Sequence, residues 1–164
     1  MLKSRFLRNF TNLEKYEFLQ FCHRRKYKEG EYIYYQNDPG TGMYFIESGR
    51  VQLIVVNNLE DAKTGNITFD LDAPDTFGML SIGYELRRMS SAKCLTDCTL
   101  NGFFKPDFET LKKRHPDIAV KFLENVSTIA MKQLKRTTQK LVDVTDTKTA
   151  FSLQFKTYYE EEIS

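Results

Sequence analysis

The residues best suited to chemistry lie in one stretch, Phe77-Gly78-Met79-Leu80-Ser81-Ile82-Gly83-Tyr84-Glu85-Leu86-Arg87-Arg88-Met89-Ser90-Ser91-Ala92. A Phe-Gly entry follows a turn, and Leu80 onward reads as a short apolar helical turn. Two adjacent arginines come next, then small residues that open a strand. A glycine leading into a short helix leaves backbone N–H groups unpaired and aimed outward, which favours a bound anion. An arginine a few residues later can close on the same anion with a planar group carrying several donors. The chemistry on offer is anion capture, not bond making. Glycine, short helix and arginine also occur together in many folds that hold no ligand, so the surrounding elements decide what the stretch means.

The remaining residues offer few alternatives. With only His23 and His115 in 164 residues, a zinc or iron site has too few ligands. Cys22, Cys94 and Cys98 form an odd, sparse set that fits buried free thiols in a reducing, cytoplasmic compartment rather than a disulfide scaffold. Cys94 and Cys98, four apart, are expected on one strand, sharing a face but poorly spaced to chelate one metal. The net charge of +2 gives no strong case for nucleic acid or an anionic membrane. No apolar run approaches the length of a bilayer span, and Met1 to Phe6 lacks the apolar stretch of a secretory signal. No nucleophile–base pair stands out, so the chain does not read as an enzyme.

The elements that must position the stretch follow from periodicity and turn residues. Phe10 to Cys22 reads as a helix capped by Thr11 or Asn12, with Phe10, Leu13, Tyr16 and Leu19 on the face that packs on the domain. Glu31 to Gln36 alternates as a strand, with Ile33 and Tyr35 facing one way and Tyr32 and Tyr34 the other. Asn37-Asp38-Pro39-Gly40 is a turn. Met43–Glu47 and Val51–Val56 read as strands joined at Gly49, which takes the left-handed position of a tight hairpin. Asn57 to Gly65 is a polar loop, Ile67 to Leu71 a strand, and Ser90 to Phe104 strand again. Several short, evenly spaced strands predict a sandwich or barrel. Pro106 suits the first turn of a helix that ends near Arg114, and a longer helix runs from Asp117 to about Val142. On it Ala119, Leu123, Val126, Ala130, Leu134, Thr137 and Leu141 form a narrow apolar seam, which either lies along its own domain or pairs with a second copy. Thr145 to Ser164 is polar, without clear period.

These residues together resemble a known family. Gly30-Glu31-Tyr32-Ile33-Tyr34 and Asp38-Pro39-Gly40-Thr41-Gly42-Met43-Tyr44-Phe45-Ile46-Glu47-Ser48-Gly49-Arg50-Val51 are similar to the front half of the cyclic-nucleotide-binding domain, the β-roll sensor of Crp/Fnr regulators, cyclic-nucleotide-gated channels and cAMP-dependent kinase regulatory subunits. The stretch from Phe77 then falls where that family carries its phosphate-binding cassette, Phe-Gly-Glu-Leu-Ala-Leu, a loop, and Pro-Arg-x-Ala. Thr96-Asp97 and the terminal helices also fit, so that the resemblance covers roughly Phe10 to Leu141. It implies an α+β, mainly β fold: an antiparallel β-roll or jelly-roll barrel over about 25–104, an N-terminal helix, a short cassette helix and long C-terminal helices over about 106–142. Residues 143–164 would be a polar tail or linker without a DNA-binding domain. The resemblance implies cAMP or cGMP as ligand, no resident cofactor, and a homodimer through the long helix. Arg88 stands where the family's arginine grips the cyclic phosphate, beside Gly78 and the backbone N–H groups of Leu80 and Ser81. Ser91 falls where several members place a Thr or Ser that can reach the phosphate or purine, and its neighbour Ser90 is expected among the ligand-binding residues. Thr137 and Thr138 match a Thr-Ser pair that contacts the purine in bacterial regulators.

One departure stands out. The family's glutamate, which accepts from the ribose 2′-hydroxyl, is Met79 here. A thioether accepts poorly, and a buried hydroxyl without a partner costs about 1–3 kcal/mol, a loss of roughly tenfold to hundredfold in affinity. Arg87 replaces the family's proline and, by strand alternation, points away from Arg88. Glu85 could pair with Arg88 in the empty state or serve as a substitute carboxylate, against the simpler reading of a solvated loop residue. The function expected is therefore a ligand-sensing regulatory domain of weakened nucleotide affinity that signals through its C-terminal helix. The alternatives are a degenerate member that binds no nucleotide and serves as a dimerisation or protein-interaction module, or the sensor part of a Crp/Fnr-type transcriptional regulator, the chain itself making no direct contact with DNA.

Overall fold

Among the described residues of a computed structural model (3–56, 66–83 and 85–155), eight strands pair antiparallel into two four-stranded sheets. They are β1 (His23–Tyr27), β2 (Tyr32–Tyr34), β3 (Gly42–Ser48), β4 (Arg50–Val55), β5 (Ile67–Asp72), β6 (Thr76–Phe77), β7 (Ser91–Cys94) and β8 (Cys98–Phe104). One sheet has the order β1-β8-β3-β6 and the other β2-β7-β4-β5. A 3-10 turn (Arg5–Leu7) and five α-helices complete the order: α1 (Asn12–Leu19), α2 (Leu80–Gly83) in the cassette, α3 (Lys105–Arg114), α4 (Pro116–Val144) and α5 (Thr147–Phe155). The expected β-roll with flanking helices is the observed architecture. The loop 57–65 lies outside the described residues.

Period-two alternation explains how the roll is filled. Tyr44 and Ile46 of β3, Val51 of β4, Ala92 and Cys94 of β7, and Leu100 of β8 turn inward and share one core with Tyr27 and Phe77. The other face of the first sheet is equally apolar. Phe45 and Phe103 meet a layer made of Phe6, Phe18, Phe108 and Phe122, with ring centroids 4.8 Å apart for Phe18–Phe103 and 5.1 Å for Phe103–Phe122. β3 and β8 are thus covered on both faces over most of their length, and buried Thr99 and Asn101 lie among the apolar residues of β8. β5, an edge strand, leaves Phe69 and Ile67 exposed, and only its Leu71 packs against the core.

Local chemistry sets the boundaries. Thr11 is the N-cap of α1 and closes a capping box: its hydroxyl accepts the Glu14 N–H at 3.2 Å, and the Glu14 carboxylate accepts the Thr11 N–H at 2.8 Å. The helix is shorter than expected, and its packing face differs. Leu13 and Tyr16 are mostly exposed, while Phe18 is fully buried. The aromatic patch on the sheet selects the Phe18 side, a choice that eight residues of weak amphipathicity do not advertise. Gly49 joins β3 to β4 at φ +91°, the left-handed position expected of it. β1 spans the expected start of the roll at about 25, and its mostly polar residues hide its strand character.

Two further expectations are corrected. Cys94 and Cys98 do not share a strand: one ends β7 and the other opens β8 across the turn 95–97. Both are buried free thiols, and burial together with a hydrogen bond to Cys98 pushes Cys94 up to about 12. Residues 147–155 are helical, not a polar segment without period. Asp146 caps this α5 by accepting from the Thr149 N–H at 2.9 Å and hydroxyl at 2.6 Å, and Ala150 is buried. The chain divides into two units, Met1–Phe122 with the roll and Leu123–Ser164 with the rest of α4 and α5. No described helix is long and apolar enough to cross a membrane.

Candidate functional site: a buried arginine behind the cassette

Arg88 lies just ahead of β7 and is only 4% exposed. Its backbone fixes it to the turn 37–40: the Arg88 N–H donates to the Asp38 carbonyl, and the Arg88 carbonyl accepts the Asn37 N–H, both at 2.8 Å. Asn37 sits at φ +70°, a conformation asparagine tolerates. Arg87 is exposed, bridges Pro39, and donates to the Asn37 carbonyl at 2.9 Å. The two arginines therefore point to opposite sides, as alternation predicts. A cleft of about 1110 Å³ lies on the Arg87 side, between residues 39–41, 85–87 and 104–107. Arg88 is not among its lining residues.

The guanidinium is held from several directions. Nη1 donates to the Gly42 carbonyl at 2.8 Å and to the Ser81 hydroxyl at 3.0 Å. Cζ lies 4.2 Å above the centre of the Tyr34 ring and 6.0 Å from that of Tyr44. Nε is fully buried and has no hydrogen-bond partner. Among the described residues no carboxylate pairs with this cation; Glu85 is an exposed loop residue that lines the cleft instead. Gly78 makes the approach possible. It sits at φ +76°, and a Cβ there would lie 2.7 Å from Nη1, so the position requires glycine for both conformation and space.

Tyr34 reaches the guanidinium because of a bulge. Tyr32 pairs with Lys93 and Tyr34 with Ala92, so the register shifts between them. Ile33 and Tyr34 then both pack against the core, contrary to the alternation expected of the strand. Burial pushes the Tyr34 phenol up, opposed by the Arg88 charge and a hydrogen bond with Ser90. The ring stays neutral near pH 7.

Of the residues expected at the site, Gly78, Ser81 and Arg88 meet directly, and Ser90 is half-buried nearby in sequence, two residues beyond Arg88. The Ser81 N–H is already committed to the Gly78 carbonyl at 3.2 Å, so its hydroxyl is the group that faces Arg88. Met79 is half-buried and Leu80 is 43% exposed. Ser91 is buried, but its hydroxyl accepts the Gln36 N–H at 2.9 Å, which ties down the neighbouring turn. Thr137 is exposed and Thr138 buried, both on the part of α4 in the second unit. The partners missed from sequence are Tyr34 and the Gly42 carbonyl. A backbone acceptor leaves no residue signal, and the inward turn of Tyr34 depends on a bulge that its own strand does not encode.

The fold is a β-roll in which Arg88 is, among the described residues, a buried cation without a carboxylate partner. A family model described as "Cyclic nucleotide-binding domain" matches residues 24–115, more than half the chain. The chain belongs to that family, and it is Crp-like in architecture. It is 29% identical over 117 residues to a "Cyclic AMP receptor protein" of Thermus thermophilus, a match covering 71% of this chain and 51% of the relative. The Thermus thermophilus catabolite activator protein superposes with a TM-score of 0.75 at 25% identity, covering 86% of this chain and 63% of the other. A cyclic nucleotide-binding domain from Methylobacillus flagellatus reaches 0.72 at 16% identity over 88% and 79%, a likeness of fold alone. A human "cGMP-dependent protein kinase 2" is 23% identical over 68% of this chain but only 14% of its own length. The chain thus spans about half or less of the curated relatives it matches.

Proposed function

We propose that the chain is a ligand-sensing regulatory domain that takes a cyclic nucleotide, with the cyclic phosphate on Arg88 and signalling through the C-terminal helices. The observation that carries the reading is a buried guanidinium, without a carboxylate partner among the described residues, one of whose donors, Nε, has no partner. A buried cation with an orphaned donor is costly, and an oxyanion at that edge would supply both the charge and the acceptor. In this reading Gly78, Met79, Leu80 and Ser90 border the ligand. Ser91, Thr137 and Thr138 are proposed contacts that rest on family position. The test is thermal unfolding with millimolar cAMP or cGMP. A ligand that binds the folded state raises the midpoint by mass action, and Arg88→Ala abolishes the rise. No shift in the wild type would overturn the reading.

A second reading is favoured by the partners Arg88 already has. The Tyr34 ring, Ser81 hydroxyl and Gly42 carbonyl offset part of its burial, which is what a domain that has lost its ligand would need. Such a domain serves as a dimerisation or protein-interaction module, with or without an attached regulator. Nucleotide binding that appears only in Met79→Glu would select this reading. Either way, a homodimer along α4 is proposed, since Leu123, Met131 and Leu134 stay exposed on it. Residence in the cytoplasm rests on the free, buried thiols.

A further inference from the structure

We infer that Tyr34 is a positioning and specificity residue of the anion site, holding the Arg88 guanidinium so that only its Nε edge is offered to a ligand. The inference rests on the reading of Arg88 as the anion-binding group. Arginine presents donors around a planar fork. Here the Nη1 corner is taken by Gly42 and Ser81, and one face is taken by the Tyr34 ring 4.2 Å away. What remains is the edge that carries Nε, the buried donor without a partner. That edge matches two oxygens on one centre, as in a phosphate diester or a carboxylate.

The Tyr34 ring is itself fixed. It packs against Tyr44 at 6.0 Å and Phe77 at 6.1 Å between centroids. A braced ring under a desolvated cation attracts it strongly and limits rotation of the plane. It also occupies the surface on which a nucleobase or other flat ring would stack. The site is thereby reserved for a compact oxyanion approaching in the plane, and a ligand's aromatic portion must lie elsewhere.

The experiment compares Tyr34→Phe and Tyr34→Leu with the wild type on the full 164-residue chain. Calorimetric titration with cAMP, cGMP and inorganic phosphate reads affinity, and the arginine Nε–H resonance of Arg88, assigned by its loss in Arg88→Lys, reads the position of the guanidinium without ligand. Tyr34→Phe keeps the ring and is expected to bind within about threefold of wild type. Tyr34→Leu is expected to weaken binding by about tenfold or more, to abolish the ring-current shift of Nε–H and to speed its exchange with water. In the Arg88→Ala background the Tyr34 substitutions should have no further effect on binding. Wild-type affinity in Tyr34→Leu, or equal losses in both variants, would overturn the inference. If the wild type binds none of the probes, the anion-site reading fails and the ligand-specificity claim with it. The resonance then decides the positioning claim: an unchanged Nε–H signal in Tyr34→Leu overturns that too.

Discussion

At position 79 the side chain departs from the family pattern where the ribose would be held. The glutamate expected there would accept from a ribose hydroxyl, and Met79 cannot. If the nucleotide lies on Arg88, Met79→Glu should tighten binding by about tenfold to a hundredfold, the reverse of leaving a buried hydroxyl unpaired. A titration showing no gain would mean that no ribose hydroxyl reaches this position. Gly78 makes a separate prediction. Its φ of +76° and the Arg88 nitrogen 2.7 Å from its absent Cβ leave no room for alanine. Gly78→Ala should cost about 1–2 kcal/mol in urea unfolding from backbone strain alone, and it should displace the guanidinium. Phe77-Gly78 and Arg88 are legible as a cradle in the sequence because glycine and arginine are chosen for their own geometry. Tyr34 is not, because its role comes from a neighbouring strand.

At the scale of elements, the aromatic layer over the first sheet decides how α1 is seated. Phe18 is buried among Phe10, Phe45, Phe103 and Phe122, and Phe18→Ala should destabilise the fold by about 3–5 kcal/mol. Leu13→Ala, on the exposed side, should change stability by no more than about 0.5 kcal/mol. Equal effects in chemical denaturation would contradict the orientation of α1. Glu14 connects that helix to α4, receiving the Lys121 ammonium at 2.7 and 2.9 Å as well as capping α1. The bond from Lys121 and the Thr11 N–H hold its carboxyl below the ordinary value of 4.5. A carboxyl depressed in the folded state contributes stability that is fully present above that ordinary value and is lost as pH falls through the folded one. The thermal midpoint should therefore decline as pH falls below about 4.5, and Glu14→Gln should shallow that decline. The same slope in the variant would remove Glu14 from the account.

For the molecule as a whole, the open question is what the apolar side chains of α4 meet. Leu123 is 43% and Leu134 42% exposed, and a second copy is the proposed cover. Light scattering should give a dimer at micromolar concentration, and Leu123→Glu with Leu134→Glu should give a monomer with an intact roll. A monomeric wild type at high micromolar concentration would discard the proposal.

Most of the β-roll, its hairpin at Gly49 and the helices α3 and α4 were determined by sequence alone, because alternation, turn residues and helix caps act over a few neighbours. The cradle around Arg88 was half legible for the same reason: Gly78 and Arg88 sit ten residues apart in one stretch. Tertiary structure decided the rest. Phe18, not Leu13, faces the core because the sheet's aromatic patch selects it. Tyr34 turns inward because β2 slips one residue against β7. Cys94 and Cys98 part onto two strands because the turn between them closes there. Each of these depends on contacts between segments far apart in the chain, and local periodicity carries no record of them.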